Sequence, residues 1–95
     1  MNIYSKIRMK ALECATIFYE YGTYGVKEDI IRAATKFEEY IMGEEPYNNE
    51  ETEIRMLAIK HSCYFTKTFY ITSEEDAIEM AKHFEEYILW GNIND

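Results

Sequence analysis

The feature that most constrains this chain is an internal repeat with a period of 47 residues. Residues 5–43 align with residues 52–90 without a gap, and 14 of the 39 paired positions are identical. The longest match pairs Phe37–Ile41 with Phe84–Ile88, and another pairs Ile7–Met9 with Ile54–Met56. Because a repeated segment folds into a repeated structural unit, the two copies predict one supersecondary unit that is used twice.

Each copy carries two apolar stripes with helical spacing. In the first copy the stripes are Ile7, Ala11, Cys14 and Phe18, then Ile30, Ala34, Phe37 and Ile41. In the second copy they are Ile54, Ala58, His61 and Phe65, then Ala77, Ala81, Phe84 and Ile88. Residues spaced i, i+4, i+7 and i+11 lie on one face of an α-helix, so we predict a helical hairpin in each copy.

The helix boundaries can be predicted from glycines and capping residues. Gly22 and Gly25 interrupt the first hairpin, Ser73 is a candidate N-cap, and Gly43 and Pro46 separate the two copies. We therefore expect helices over about 3–21, 27–42, 49–69 and 74–90. The predicted fold is all-α: four helices in two tandem hairpins related by a pseudo-twofold axis, like a four-helix bundle. A single domain would span residues 1–95, with a linker over 44–51.

Composition narrows the classes of partner. The chain has 18 acidic and 10 basic residues and a net charge of −8. A basic footprint is needed to bind phosphates, so we expect no direct nucleic-acid binding. No apolar run is long enough for a membrane span, and the N-terminal residues lack a secretory pattern. We therefore expect a cytoplasmic protein, with Cys14 and Cys63 as reduced thiols.

Aromatic residues supply most of the candidate binding site. The chain contains nine Tyr and five Phe. Tyr19, Tyr21 and Tyr24 cluster at the end of the first hairpin, and Phe69 and Tyr70 lie at the equivalent end of the second. Tyrosine is common at interfaces because one end of its side chain is apolar and the other polar. Two interpretations stay open, a contact surface for a partner or ligand and local packing of the loop ends.

Arg8 and Arg55 occupy equivalent positions in the two copies. Each guanidinium group could hold a carboxylate or phosphate of a ligand or partner. We favour ion pairs inside each hairpin, to Glu38 or Glu39 in the first and to their repeat equivalents in the second.

No catalytic or metal-binding pattern stands out. The two Phe-Glu-Glu-Tyr segments offer carboxylates, but they lack the Glu-x-x-His pattern of di-metal bundles. His61 lies on an apolar stripe, where we expect it to be half-buried. Cys63 lies two residues further on, and therefore on another face of the helix. We expect no cofactor, no metal and no enzymatic activity.

The pattern of Arg8, Ala11, Ala34, Phe37, Tyr40 and Gly43 resembles helical-hairpin segments of small phage proteins. The second copy keeps the Arg, Ala, Phe and Tyr but has Trp90 in place of the final Gly. The resemblance implies a small accessory protein that acts by stoichiometric binding in a bacterial host.

Three functions compete at this stage. The first is a non-enzymatic binding protein, for example a phage-encoded inhibitor of a host or antiviral-defence protein. The second is an oligomer that sequesters a small nucleotide-like signalling ligand, with aromatic stacking and Arg8 or Arg55 on phosphate. The third is a DNA mimic, which the interspersed Lys and Arg residues disfavour. Surplus apolar surface on so short a bundle also predicts homo-oligomerisation.

Overall fold

A computed structural model describes residues 2–19, 27–43, 49–69 and 73–91, apart from the side chains of residues 27, 49 and 67–69. These ranges form four α-helices: α1 (Ile3–Tyr19), α2 (Lys27–Met42), α3 (Asn49–Phe69) and α4 (Glu74–Trp90). The predicted all-α fold is confirmed, and α2, α3 and α4 have the predicted bounds. The predicted last turn of the first helix reaches residues 20–21, which lie outside the described residues.

Local chemistry explains where the helices end. The Ser73 hydroxyl accepts a hydrogen bond from the backbone N–H of Asp76 at 3.1 Å, and so caps α4 as predicted. Gly43 follows α2 with φ of 67°, and Gly91 follows α4 with φ of 77°. Each donates its N–H to a carbonyl of the preceding helical turn, Gly43 to Glu39 and Gly91 to Tyr87. A left-handed conformation is strained for residues with a side chain, so glycine suits both positions.

The two hairpins repeat the same internal contacts. Phe18 packs edge-to-face on Phe37, with ring centroids 5.9 Å apart and planes at 79°. The repeat equivalents Phe65 and Phe84 pack in the same way, at 6.1 Å and 84°. Matching side chains therefore perform matching packing roles in the two copies, as the 47-residue period predicts.

Contacts between the hairpins join different faces of the two copies. α3 packs against α1 and α2 as well as against α4, whereas the backbone of α1 does not approach that of α4 in the described residues. A twofold axis would pair equivalent faces, so the pseudo-twofold relation holds for the order of the helices but not for these contacts. The second hairpin is instead stacked on the first, as in helical repeat proteins.

Small residues allow the close approach of the helices. The core residues that are fully buried are Ile7, Ala11, Cys14, Ala15, Ala33, Phe37, Ile41, Ala58, Ile59, Cys63, Ala77 and Ala81. Ser62 takes the place of Ala15 in the second copy, where its buried hydroxyl donates to the Ala77 carbonyl oxygen. Cys14 and Cys63 are free and buried between α1 and α3. The hydrogen bond between the two thiols and burial raise the pKa of Cys63.

Candidate functional site

Of the predicted aromatic site, the structure describes chiefly Tyr19. Its hydroxyl donates a hydrogen bond to the Glu74 carboxylate at 2.9 Å, and its ring packs edge-to-face on Phe18 at 5.2 Å. Burial, followed by the contact with Glu74, raises the pKa of Tyr19. Tyr19 thus links the end of α1 to the start of α4. The side chain of Phe69 and all of Tyr21, Tyr24 and Tyr70 lie outside the described part of the chain.

The two equivalent arginines make equivalent ion pairs. Arg8 Nε lies 3.1 Å from a carboxylate oxygen of Glu38, and Arg55 Nε lies 3.2 Å from one of Glu85. The predicted pairing within each hairpin is therefore confirmed. The surroundings differ, because the Arg8 side chain is 64% exposed and that of Arg55 only 17%. Arg55 also lies 3.3 Å from Glu51 and is packed so closely on Gly43 that a Cβ there would overlap its guanidinium group.

A polar cluster joins the hairpins around Glu85. The half-buried Tyr40 hydroxyl donates to Glu85 at 2.9 Å, while Arg55 holds the other carboxylate oxygen. Burial of the phenol and its hydrogen bond to the carboxylate raise the pKa of Tyr40 strongly. In the first hairpin the equivalent Glu38 has its arginine. The repeat-equivalent contact would join Glu38 to Tyr87. Tyr87 lies in the second hairpin, where its side chain is exposed.

Two exposed ion pairs also join the hairpins. Lys36 Nζ is 2.6 Å from Glu75 across the α2–α4 contact, and Lys60 Nζ is 3.9 Å from Glu13 across the α1–α3 contact. The hydrogen bond from Lys36 lowers the pKa of Glu75, and that from Lys10 lowers the pKa of Glu13. Exposed pairs of this kind add little stability.

The candidate site itself is an open apolar groove between α3 and α4, which we call the α3/α4 groove. It encloses about 320 Å³ and is lined by Leu57, Ala58, His61, Phe84, Tyr87 and Ile88. Leu57, Tyr87 and Ile88 are exposed to 49%, 59% and 41%. The expectation that His61 is half-buried is wrong, because its side chain is exposed at the groove.

The face of the first hairpin that is equivalent to this groove is buried. The repeat equivalents of its lining include Cys14, Phe37 and Ile41, all of which are fully buried. They are covered because the second hairpin stacks on that face: Cys14 meets Cys63 of α3, and Tyr40 reaches Glu85 of α4. The α3/α4 groove is therefore the same packing face without its covering hairpin.

The first hairpin presents a second exposed apolar surface, which we call the α1 ridge. It consists of Met9 and Leu12 on α1 and Ile31 on α2, exposed to 59%, 49% and 59%. Their repeat equivalents are Met56, Ile59 and Ile78, and all three belong to the core or pack against it. Residues that are buried in one copy are thus exposed in the other.

The two side chains that could form a nucleophile pair lie on different faces of α3. Cys63 is buried while His61 is exposed, so they point apart, as their spacing predicts. Within the described ranges no three potential metal-ligating side chains come together. Glu39 and Glu86 are exposed, while Glu38 and Glu85 are held by arginines.

Comparisons with protein-family models, with curated proteins and with solved structures found no match to this chain. Among the described residues, no helix is both long and apolar enough to span a membrane.

Sequence reasoning placed the arginine pairs correctly but missed the α3/α4 groove. A signal was present, since Leu57 replaces Lys10 of the first copy and the chain ends α4 with Ile88, Leu89 and Trp90. These apolar residues lie on or next to helix stripes that already carry enough apolar side chains to pack the hairpin. Which copy of the shared stripe is covered depends on how the hairpins stack, and that stacking has no local sequence signature.

Proposed function

We propose that this chain is a non-enzymatic protein-binding domain, which takes an apolar helical segment of its partner into the α3/α4 groove. The observation that carries the proposal is that the groove repeats a helix-packing face whose equivalents Cys14, Phe37 and Ile41 in the first hairpin are fully buried. A groove between two helices is a common receptor for an amphipathic helix, whose side chains fill it at intervals of one turn.

The exposed apolar lining of the groove and the negative charge of the second half of the chain support this assignment. Three large apolar side chains stand exposed side by side there, and burying them gains about 25 cal/mol per Å² of apolar surface. The second half of the chain also carries most of the negative charge, with ten acidic against four basic residues after Tyr47. A partner helix with basic residues beside its apolar stripe would match this surface best.

The contacts of the arginines favour protein binding over the nucleotide alternative. Capture of a phosphate would rely on Arg8 or Arg55, and each guanidinium group already lies against a carboxylate. A carboxylate beside the arginine repels phosphate, so displacing it would cost the ion pair as well. The DNA-mimic alternative gains no support either, because Lys36, Lys60 and both arginines pair with acidic side chains. An inhibitor of a host or antiviral-defence protein remains our proposal for the biological setting of a protein-binding domain.

Position-specific crosslinking in cells tests the proposal. A photoreactive amino acid in place of Ile88 lies in the groove, and the same amino acid in place of Glu79 lies on the exposed outer side of α4. We expect a discrete adduct of defined mass from position 88 and none from position 79. If position 88 gives no adduct, or if both positions give the same ones, the groove is not the binding surface.

A further inference from the structure

We propose that the occupant of the α3/α4 groove is the α1 ridge of a second copy of this chain, so that copies join head to tail. The inference rests on the proposed function and names its partner. The contact between the two hairpins inside one chain serves as its template, because that contact already seats one copy of the repeat on the other.

The apolar part of the template can be followed residue by residue. On α3, Met56, Ile59 and Cys63 form one strip; Met56 borders α1, and Cys63 meets Cys14. On α4, Ile78 lies on the same side as Glu75 and Glu85, which contact α2. The α1 ridge carries the equivalents Met9, Leu12 and Ile31 with the same side-chain chemistry. They can therefore enter the second hairpin's groove as Met56, Ile59 and Ile78 enter that of the first.

Two polar contacts of the template are also available at the free surfaces. Tyr40 donates to Glu85 inside the chain, and the equivalent contact between copies would join Tyr87 to Glu38 of the next chain. Tyr87 is exposed, and Glu38 carries the same arginine partner as Glu85. The Glu13–Lys60 pair also reproduces itself, because Glu13 and Lys60 are repeat equivalents of each other. At a junction Lys60 would face Glu13 of the next copy, so the two opposite charges would again attract each other.

Several positions depart from the template, because Cys63 corresponds to Thr16, Lys36 to His83 and Gly43 to Trp90. The last of these changes the surroundings of an arginine. Arg55 packs on Gly43, but the repeat equivalent of Gly43 is Trp90, which is 69% exposed at the end of α4. The incoming Arg8 would therefore meet an indole ring rather than a bare backbone. A guanidinium group stacks favourably on the face of Trp, so the replacement changes the contact without removing it.

The two surfaces differ, and this fixes the type of assembly. A contact between unlike surfaces is heterologous, and it produces rings or open chains rather than a closed twofold dimer. Each added copy covers the groove of the copy before it and leaves its own groove exposed. The expected species in solution is thus a series whose mean mass grows with protein concentration from the 11.4 kDa of one chain.

Complementary variants test this arrangement by sedimentation velocity. Ile88→Glu places a charge in the groove, and Leu12→Glu places one on the ridge; both positions are exposed, so the fold should persist. We expect the wild-type protein to associate and each variant alone to stay monomeric. In an equimolar mixture the intact ridge of one variant fits the intact groove of the other, so the mass should double and rise no further.

Controls separate folding and charge effects from loss of the contact. Leu57→Glu changes the groove at a second position, and Lys82→Gln shifts the net charge by the same amount on an exposed part of α4. Circular dichroism confirms that each variant is folded. Lys82→Gln should associate like the wild type, and Leu57→Glu should behave like Ile88→Glu.

Three results would overturn the proposal. These are a wild-type protein that stays monomeric at every concentration, a Leu12→Glu variant that still associates alone, and a mixture of the two variants that stays monomeric. A monomeric wild type together with a crosslink from position 88 to a different protein would refute the self-association and leave the proposed function standing. Absence of any crosslink would refute the proposed function itself.

Discussion

At the scale of single residues, identical side chains at equivalent positions have unequal surroundings. Phe37 is fully buried, whereas Phe84 is only partly buried beside the open groove. We expect Phe37→Ala to lower the free energy of unfolding by about 3–5 kcal/mol, because it leaves a cavity in a closed core. Phe84→Ala should cost clearly less, since water already reaches its site. Urea denaturation of the two variants at a protein concentration where the chain is monomeric measures both values, and equal losses would show that the groove of the single chain is closed.

Tyr40 gives the chain a predictable response to alkaline pH. Burial, with the hydrogen bond to Glu85, raises the pKa of its phenol above the ordinary value of about 10. The unfolded chain releases this proton near pH 10 while the folded chain retains it, so ionisation favours unfolding. The stability that depends on the neutral phenol is therefore complete below about pH 10 and is lost as the pH rises further.

The variant Tyr40→Phe isolates this contribution. Its free energy of unfolding should fall less steeply than that of the wild type above about pH 10, since one titrating group is gone. At neutral pH the same variant should be less stable by about 1–2 kcal/mol, because Glu85 loses a hydrogen-bond donor. Urea denaturation at neutral pH and in the alkaline range measures both effects. Parallel pH profiles for the two proteins would contradict the assignment.

At the scale of helices, the arginine pairs show how position within the fold changes the value of one interaction. Arg55 and Glu85 are mostly buried between α3 and α4, whereas Arg8 stands largely exposed between α1 and α2. We expect Arg55→Met to cost about 2–3 kcal/mol, because it leaves Glu85 half-buried without its counter-charge. Arg8→Met, the matched control, should cost at most about 1 kcal/mol. Thermal unfolding of the pair checks the difference.

The helices also show what sequence alone can predict. The apolar stripes and the caps at Ser73 and Gly43 are local features, and they predicted the bounds of α2, α3 and α4 correctly. The pairing of Arg8 and Arg55 with acidic residues followed from the spacing within one hairpin. The exposure of His61 did not follow, because it depends on which face of the second hairpin meets the first, and that is decided by contacts between distant residues.

At the scale of the whole molecule, α3 is the central element. Like α2 it contacts each of the other three helices, but it packs against them more extensively, and its buried residues include Ile59 and Cys63. Hydrogen exchange followed by mass spectrometry should therefore find its slowest amides in the middle of α3. The last turn of α4, with Tyr87 and Trp90 exposed, should exchange fastest among the helices described. Equal protection along α3 and α4 would contradict this arrangement.

The thinness of the molecule has a consequence for how its sequence can vary. Its shortest Cα dimension is 17 Å, about two layers of helices. Every helix thus keeps one flank in water, including α3, whose Glu53 and His61 are exposed. Substitutions on such flanks change the free energy of unfolding by about 0.5 kcal/mol or less, so selection for stability acts mainly on the inner stripes. The two copies of the repeat can therefore differ at most of their outer positions while their inward-facing Phe, Ala and Ile residues still match.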